Sequence, residues 1–167
     1  MKNLVLTVLS VFFFSTLQAQ EKRASPLIKT SAEVNGTQIS IEYGQPSKKG
    51  RDIFGALVPY GKVWRTGANE ATVIEFSKDV KINGETVKAG RYALFTIPGE
   101  SEWTIILNKV ANQWGAYNYD ASKDVLNVKV KAEQMKEVTE AFTIKISKTG
   151  LVELYWDTTG VEFQVEA

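Results

Sequence analysis

The chain has 167 residues, with 20 basic and 19 acidic side chains and neither histidine nor cysteine. Disulfide staples, thiolate nucleophiles, Ser-His-Asp triads and metal centres built on imidazole or thiolate are thereby excluded, and no metal or other cofactor is expected. The near-neutral balance also lacks the basic excess of a nucleic-acid surface, so no nucleic-acid partner is expected.

In chain order, Lys2, the apolar run Leu4 to Phe14 and the small-residue site Leu17-Gln18-Ala19 predict a secretory signal peptide over residues 1–19. The run stops at Gln18, short of the roughly 20 apolar residues of an uninterrupted membrane span. The expectation is therefore an exported protein, periplasmic or secreted, with no integral membrane segment after cleavage and no cysteine to carry a lipid anchor. Removal of Lys2 with the signal leaves 19 side chains of each sign in 148 residues. That length suits one domain whose core needs no cross-link. Residues 20–26 read as a polar, flexible N-terminus and residues 27–167 as a single domain; the oligomeric state stays open.

From there the hydrophobic period is two, the period of a half-buried strand. Ile39, Ile41 and Tyr43 alternate with Gln38, Ser40 and Glu42, and the pattern returns at Leu126 to Lys131, Phe142 to Ser147 and Val161 to Glu166. Asn35-Gly36 and Asn83-Gly84 are dipeptides of type I′ hairpin turns, and Pro98-Gly99, Thr149-Gly150 and Thr159-Gly160 punctuate later strands. Tyr92 to Ile97 and Trp103 to Leu107 are almost continuously apolar, as central strands covered on both faces are. Short helices are expected only at Asp52 to Leu57 and Glu133 to Val138. The predicted fold is all-β: an antiparallel β-sandwich or flattened barrel of nine or ten strands with very little helix.

The run Val58 to Thr72 departs from this scaffold chemistry. As a site, Gly61 and Gly67 let the backbone approach a ligand and Arg65 forks onto a carboxylate or phosphate. Tyr60 and Trp64 stack on a ring, while Lys62, Thr66, Asn69 and Glu70 complete the polar set. As bracing, Arg65 pairs with Glu70, Trp64 plugs the core and Asn69 ties the backbone. In a second run, Gln113 to Tyr119, Trp114 and Tyr117 form a platform for a glycan or cap the end of the sheets. Its weight as a ligand site depends on whether it meets the Arg65 loop in space.

Two weaker patterns fail on spacing. Asn118, Asp120, Ser122 and Asp124 imitate a calcium loop, but Lys123 and Lys129 stand where the turn glycine and the bidentate glutamate belong. Glu153 and Asp157 share a strand face at about 13 Å, too far for the carboxyl pair of glycoside hydrolysis.

Lys49 to Gly55, Leu57 to Thr72, Ala89 to Pro98 and Gln113 to Tyr119 together resemble, in order and spacing, the DUF2911 family of exported bacterial proteins. The resemblance covers most of the mature chain, most specifically at Trp64-Arg65-Thr66-Gly67-Ala68-Asn69-Glu70. It implies an exported β-rich domain and carries no reaction or catalytic residue. Three functions stay open: non-catalytic binding of a small polar or glycan-like ligand at Tyr60 to Glu70, a sugar-acting hydrolase or lyase using Glu70 as acid or base, and a structural or interaction module braced by the loop.

Overall fold

A computed structural model describes residues 23–167. The signal read at residues 1–19 and the first part of the polar N-terminus lie outside the described residues. Nine strands follow: β1 (Leu27–Val34), β2 (Thr37–Gly44), β3 (Thr72–Phe76), β4 (Val80–Ile82), β5 (Glu85–Val87), β6 (Gly90–Ile97), β7 (Glu102–Asn108), β8 (Asp124–Ile146) and β9 (Leu151–Glu166). All pair antiparallel in the order β1-β2-β3-β6-β7-β8-β9-β4-β5, so the sheet is not closed into a barrel. Among the described residues no helix is long and apolar enough to cross a membrane.

The long strand β8 makes this a two-layered object. Its first part, to Lys131, pairs with β7, and from Ala132 onward it pairs with β9. Alternating side chains of both parts face one core, where Ile39, Ile41 and Tyr43 of β2 meet Val152, Leu154 and Trp156 of β9. The Ile144 amide on β8 donates to the Tyr43 hydroxyl at 3.1 Å, a polar link between the layers inside that core.

Both Asn-Gly turns form as predicted, with positive φ at Asn35 and Gly36 and at Asn83 and Gly84. Thr159-Gly160 does not turn. It lies inside β9, opposite Gln134 and Glu133 of β8, and a Cβ on Gly160 would fall 2.9 Å from the Tyr155 ring and 3.0 Å from the Met135 sulfur. That glycine admits close packing.

The two expected helices are absent as well. Gly55, at φ 87°, breaks any helical run at Asp52 to Leu57, which is instead a wide turn closed by the Val58 amide on the Ile53 carbonyl at 2.9 Å. Glu133 to Val138 is extended within β8 despite the helix propensity of Glu, Gln, Met and Lys: Glu133 and Gln134 pair with Gly160 and Thr159 of β9, and Met135 to Val138 span the irregularity before Thr139 pairs with Asp157. The one helical turn among the described residues is a 3-10 turn at Ala121–Lys123, capped by the Asp120 carboxylate accepting from the Ser122 amide at 2.9 Å.

Strands β6 and β7 are covered on both faces, as their apolar runs predict. Ala93, Phe95 and Ile106 form a small second core on the face turned away from the main one. Its cover is Val63, from the connection before β3, and Ala116 and Tyr119, from the connection before β8. Two loops that carry unusual side chains are thus laid over one sheet face.

Candidate functional site

The loop leading into β3 is zipped to the sheet at its start. Trp64 and Thr96 of β6 exchange backbone hydrogen bonds at 2.7 and 3.0 Å. The Trp64 ring, 8% exposed, stacks on Trp156 with centroids 5.9 Å apart and has Phe54, Trp103 and Phe142 around it. Its Nε1 donates to the Gly67 carbonyl at 3.2 Å. Trp64 is a core plug that shows only an edge outward, so the stacking surface expected of it is spent inside.

Thr66 and Gly67 are spent inside too. Thr66 is wholly buried at φ 54°, an uncommon conformation for a β-branched residue that costs on the order of 1–3 kcal/mol. Its hydroxyl sits against the Trp64 carbonyl at 3.3 Å and the Thr96 hydroxyl at 3.1 Å, and its carbonyl accepts from the Thr72 hydroxyl at 2.6 Å. A Cβ on Gly67 would lie 2.9 Å from the Gly44 carbonyl oxygen. The backbone that approaches Gly67 is therefore the protein's own, not a ligand.

The other half of the loop faces outward. Arg65 and Asn69 are half-buried and line a depression of about 300 Å³ with Ser25, Arg51 and the edges of Trp64 and Trp156. Asn69, at φ 65°, also lines a neighbouring depression of about 300 Å³ with Arg23, Ser25, Glu70 and Trp114. Glu70 and Trp114 then border a third, of about 280 Å³, with Glu42, Arg91 and Gln113. Shared walls join the three into one trough.

The two sequence segments meet along that trough. Glu70 and Trp114 form an antiparallel bridge, the Ala71 amide donates to the Gln113 carbonyl at 2.9 Å and the Gly115 amide to the Asn69 carbonyl at 2.9 Å. The Trp114 ring is left 59% exposed on the trough wall. Tyr117 is 83% exposed and lies over Gly115, where a Cβ would fall 3.0 Å from its ring. Tyr117, Tyr60 and Lys62 border none of the three depressions; Tyr60 packs its ring beside Gly55.

The charge pairing differs from the bracing expectation. Glu70 pairs with Arg23, not with Arg65. Partial burial raises the Glu70 carboxyl, but its own backbone amide and Arg23 more than offset this and hold it below the ordinary glutamate range. A glutamate ionised this firmly is no reservoir for an acid's proton at neutral pH. The Arg65 Nε is buried with no acceptor, and Arg65 enters no ion pair among the described residues. Gln113 Oε1 is a second buried atom left unpaired, in the trough wall.

Several residues at the site carried no signal in the sequence. Asn108, at the end of β7, is fully buried; its Nδ2 donates to the Asp120 carbonyl at 2.9 Å and to Asp124 Oδ1 at 2.8 Å, and its Oδ1 accepts from the Val110 amide at 3.0 Å. It fixes both ends of the connection that carries Trp114. The polar run Asn118 to Asp124 is used for the same purpose: Asp124 also accepts from the Tyr119 hydroxyl at 2.6 Å. Glu153 and Asp157, weighed above as a carboxyl pair, serve Tyr155 and Lys48 separately.

The family model described as "Protein of unknown function (DUF2911)" matches residues 25–165. No curated protein and no solved structure matches the chain.

Proposed function

We propose that this chain, which belongs to the DUF2911 family of proteins of unknown function, binds a small polar, glycan-like ligand without transforming it. The observation that carries the reading is the bridge between Glu70 and Trp114, which sets an exposed indole beside a row of polar groups along a trough. An indole face stacks on the apolar face of a sugar ring. Glu42 and Glu70 accept from hydroxyls, while Asn69 and Asn112 donate or accept.

Division of labour within the loop supports this reading over pure bracing. Trp64, Thr66 and Gly67 brace; Arg65, Asn69 and Glu70 stay at the water-facing side. The hydrolase or lyase alternative requires Glu70 to act as a proton donor or base, and its pairing with Arg23 opposes the first role. Export belongs to the same proposal: protein recovered from the exported fraction begins at Gln20.

Titration with a panel of neutral and acidic oligosaccharides tests the function through tryptophan fluorescence and thermal shift, since bound ligand stabilises only the native state. Saturable binding by the wild type, lost in Trp114→Ala with the fold intact, is the expected result. No saturable response to any member of the panel overturns it.

A further inference from the structure

The two ends of the trough differ in chemistry, and the difference bears on what the ligand is. Toward Trp114, the carboxylates of Glu42 and Glu70, amides, Arg91 and an indole share the wall, so charges of both signs are present. The depression at Arg65 holds two arginines, Arg65 and Arg51, and no carboxylate. Arg51 turns two of its five N–H donors to the protein: its Nε donates to the Lys48 carbonyl at 2.9 Å and an Nη to the Ser47 carbonyl at 2.6 Å. Those two bonds anchor its positive charge beside the depression.

Arg65 is in the opposite condition. Arg65 enters no ion pair among the described residues; its Nε is buried without an acceptor, and the half-buried side chain lines a depression that holds no carboxylate. Its aliphatic stem rests by Gly115, where a Cβ would come within 4.0 Å of Arg65 Cδ, so the trough's two segments hold it in place. A half-buried cation, positioned but not coordinated, beside a second cation and no counter-charge, lacks its anion.

Resting on the recognition reading above, we infer that Arg65 is the anion subsite of the trough and that the ligand is an acidic sugar. Its carboxylate sits on the Arg65 guanidinium and its ring lies toward Glu70, Gln113 and Trp114. A single free guanidinium fork matches the two oxygens of one carboxylate. A phosphate dianion would draw on both arginines, and the two Arg51 donors turned to the Lys48 and Ser47 carbonyls are not available to it.

Calorimetric titration of residues 20–167 with glucuronate, glucose and inorganic phosphate, at low and raised salt, tests the assignment. The wild type binds glucuronate about ten- to a hundredfold more tightly than glucose, the range expected for one charge-assisted contact, and salt narrows the gap. Arg65→Gln abolishes the preference and keeps the glucose affinity; Trp114→Ala weakens both sugars. Equal affinity of the wild type for the two sugars overturns the subsite, as does a preference that survives in folded Arg65→Gln. Tighter binding of phosphate than of glucuronate overturns the carboxylate assignment. Loss of the preference in Arg65→Gln with Trp114→Ala silent upholds the subsite and removes the sugar-platform reading. If Arg65→Gln does not fold, the wild-type preference and its salt dependence decide alone.

Discussion

Arg23 and Glu70 form an ion pair in which both side chains keep substantial contact with water, so at neutral pH the pair is worth below about 1 kcal/mol. Its pH dependence is more telling than its size. The Glu70 carboxyl is held below its ordinary value in the folded chain, so its contribution is complete above the unfolded glutamate pKa and is lost as pH falls through the lower, folded value. Urea unfolding of wild type and Glu70→Gln should differ by a small, constant amount from neutrality down to the ordinary glutamate range, then converge on further acidification. A difference that instead grows on acidification contradicts the pairing. At this scale the sequence showed which residues were unusual but not whom they would face. Arg65 and Glu70, five positions apart, looked like natural partners, yet Glu70 is taken by Arg23, a residue of the N-terminal segment read only as polar and flexible. Trp64 shows the same limit: an aromatic side chain in a loop reads as a platform or a plug, and only the ring of Trp156 beside it decides for the plug.

Among the elements, the connection between β7 and β8 depends on one buried amide. Asn108 holds it through bonds to Asp120, Asp124 and Val110, and the Phe95 and Tyr119 rings, 5.0 Å apart, press it onto the sheet. Asn108→Ala takes this partner from the part-buried Asp120 carbonyl, Asp124 carboxylate and Val110 amide and should cost about 1–3 kcal/mol. Hydrogen exchange should show faster opening of residues 109–123, and ligand affinity should fall although Asn108 does not itself line the trough and reaches it only through the Gln113 Nε2, which donates to its Oδ1 at 3.4 Å. Unchanged exchange there would show that the connection is held elsewhere. Strand identity was legible wherever the period of two was clean, as at Ile39, Ile41 and Tyr43, and the Asn-Gly turns were legible because few residues tolerate their φ. Glu133 to Val138 was not, since a helix-favouring composition is held extended between two paired stretches of β8, at Glu133-Gln134 and from Thr139, whose partners on β9 are not visible in the local sequence. Gly160 misled for a related reason: a glycine that makes room for Tyr155 and Met135 has the same letter as one that makes a turn.

For the whole molecule, the joining of layers through β8 places a polar contact in the middle of the core. The Tyr43 hydroxyl is pushed upward in pKa by burial and accepts from the Ile144 amide, so Tyr43→Phe strands a buried N–H and should cost about 1–3 kcal/mol in urea unfolding. A neutral result would show that the amide finds another acceptor. The all-β architecture was readable from alternation and turns, but the way two distant loops converge on the outer face of β6 and β7 was not, because alternation reports which side of a strand is buried and not what buries it.

On the inference above, Arg65 is held for an acceptor outside the protein. The most direct test is the urea unfolding free energy of Arg65→Met against wild type without ligand. Removing a buried, unpaired donor while keeping an unbranched stem should leave stability within about 1 kcal/mol of wild type or raise it. A loss of more than about 2 kcal/mol would make Arg65 a brace of the fold and contradict the claim.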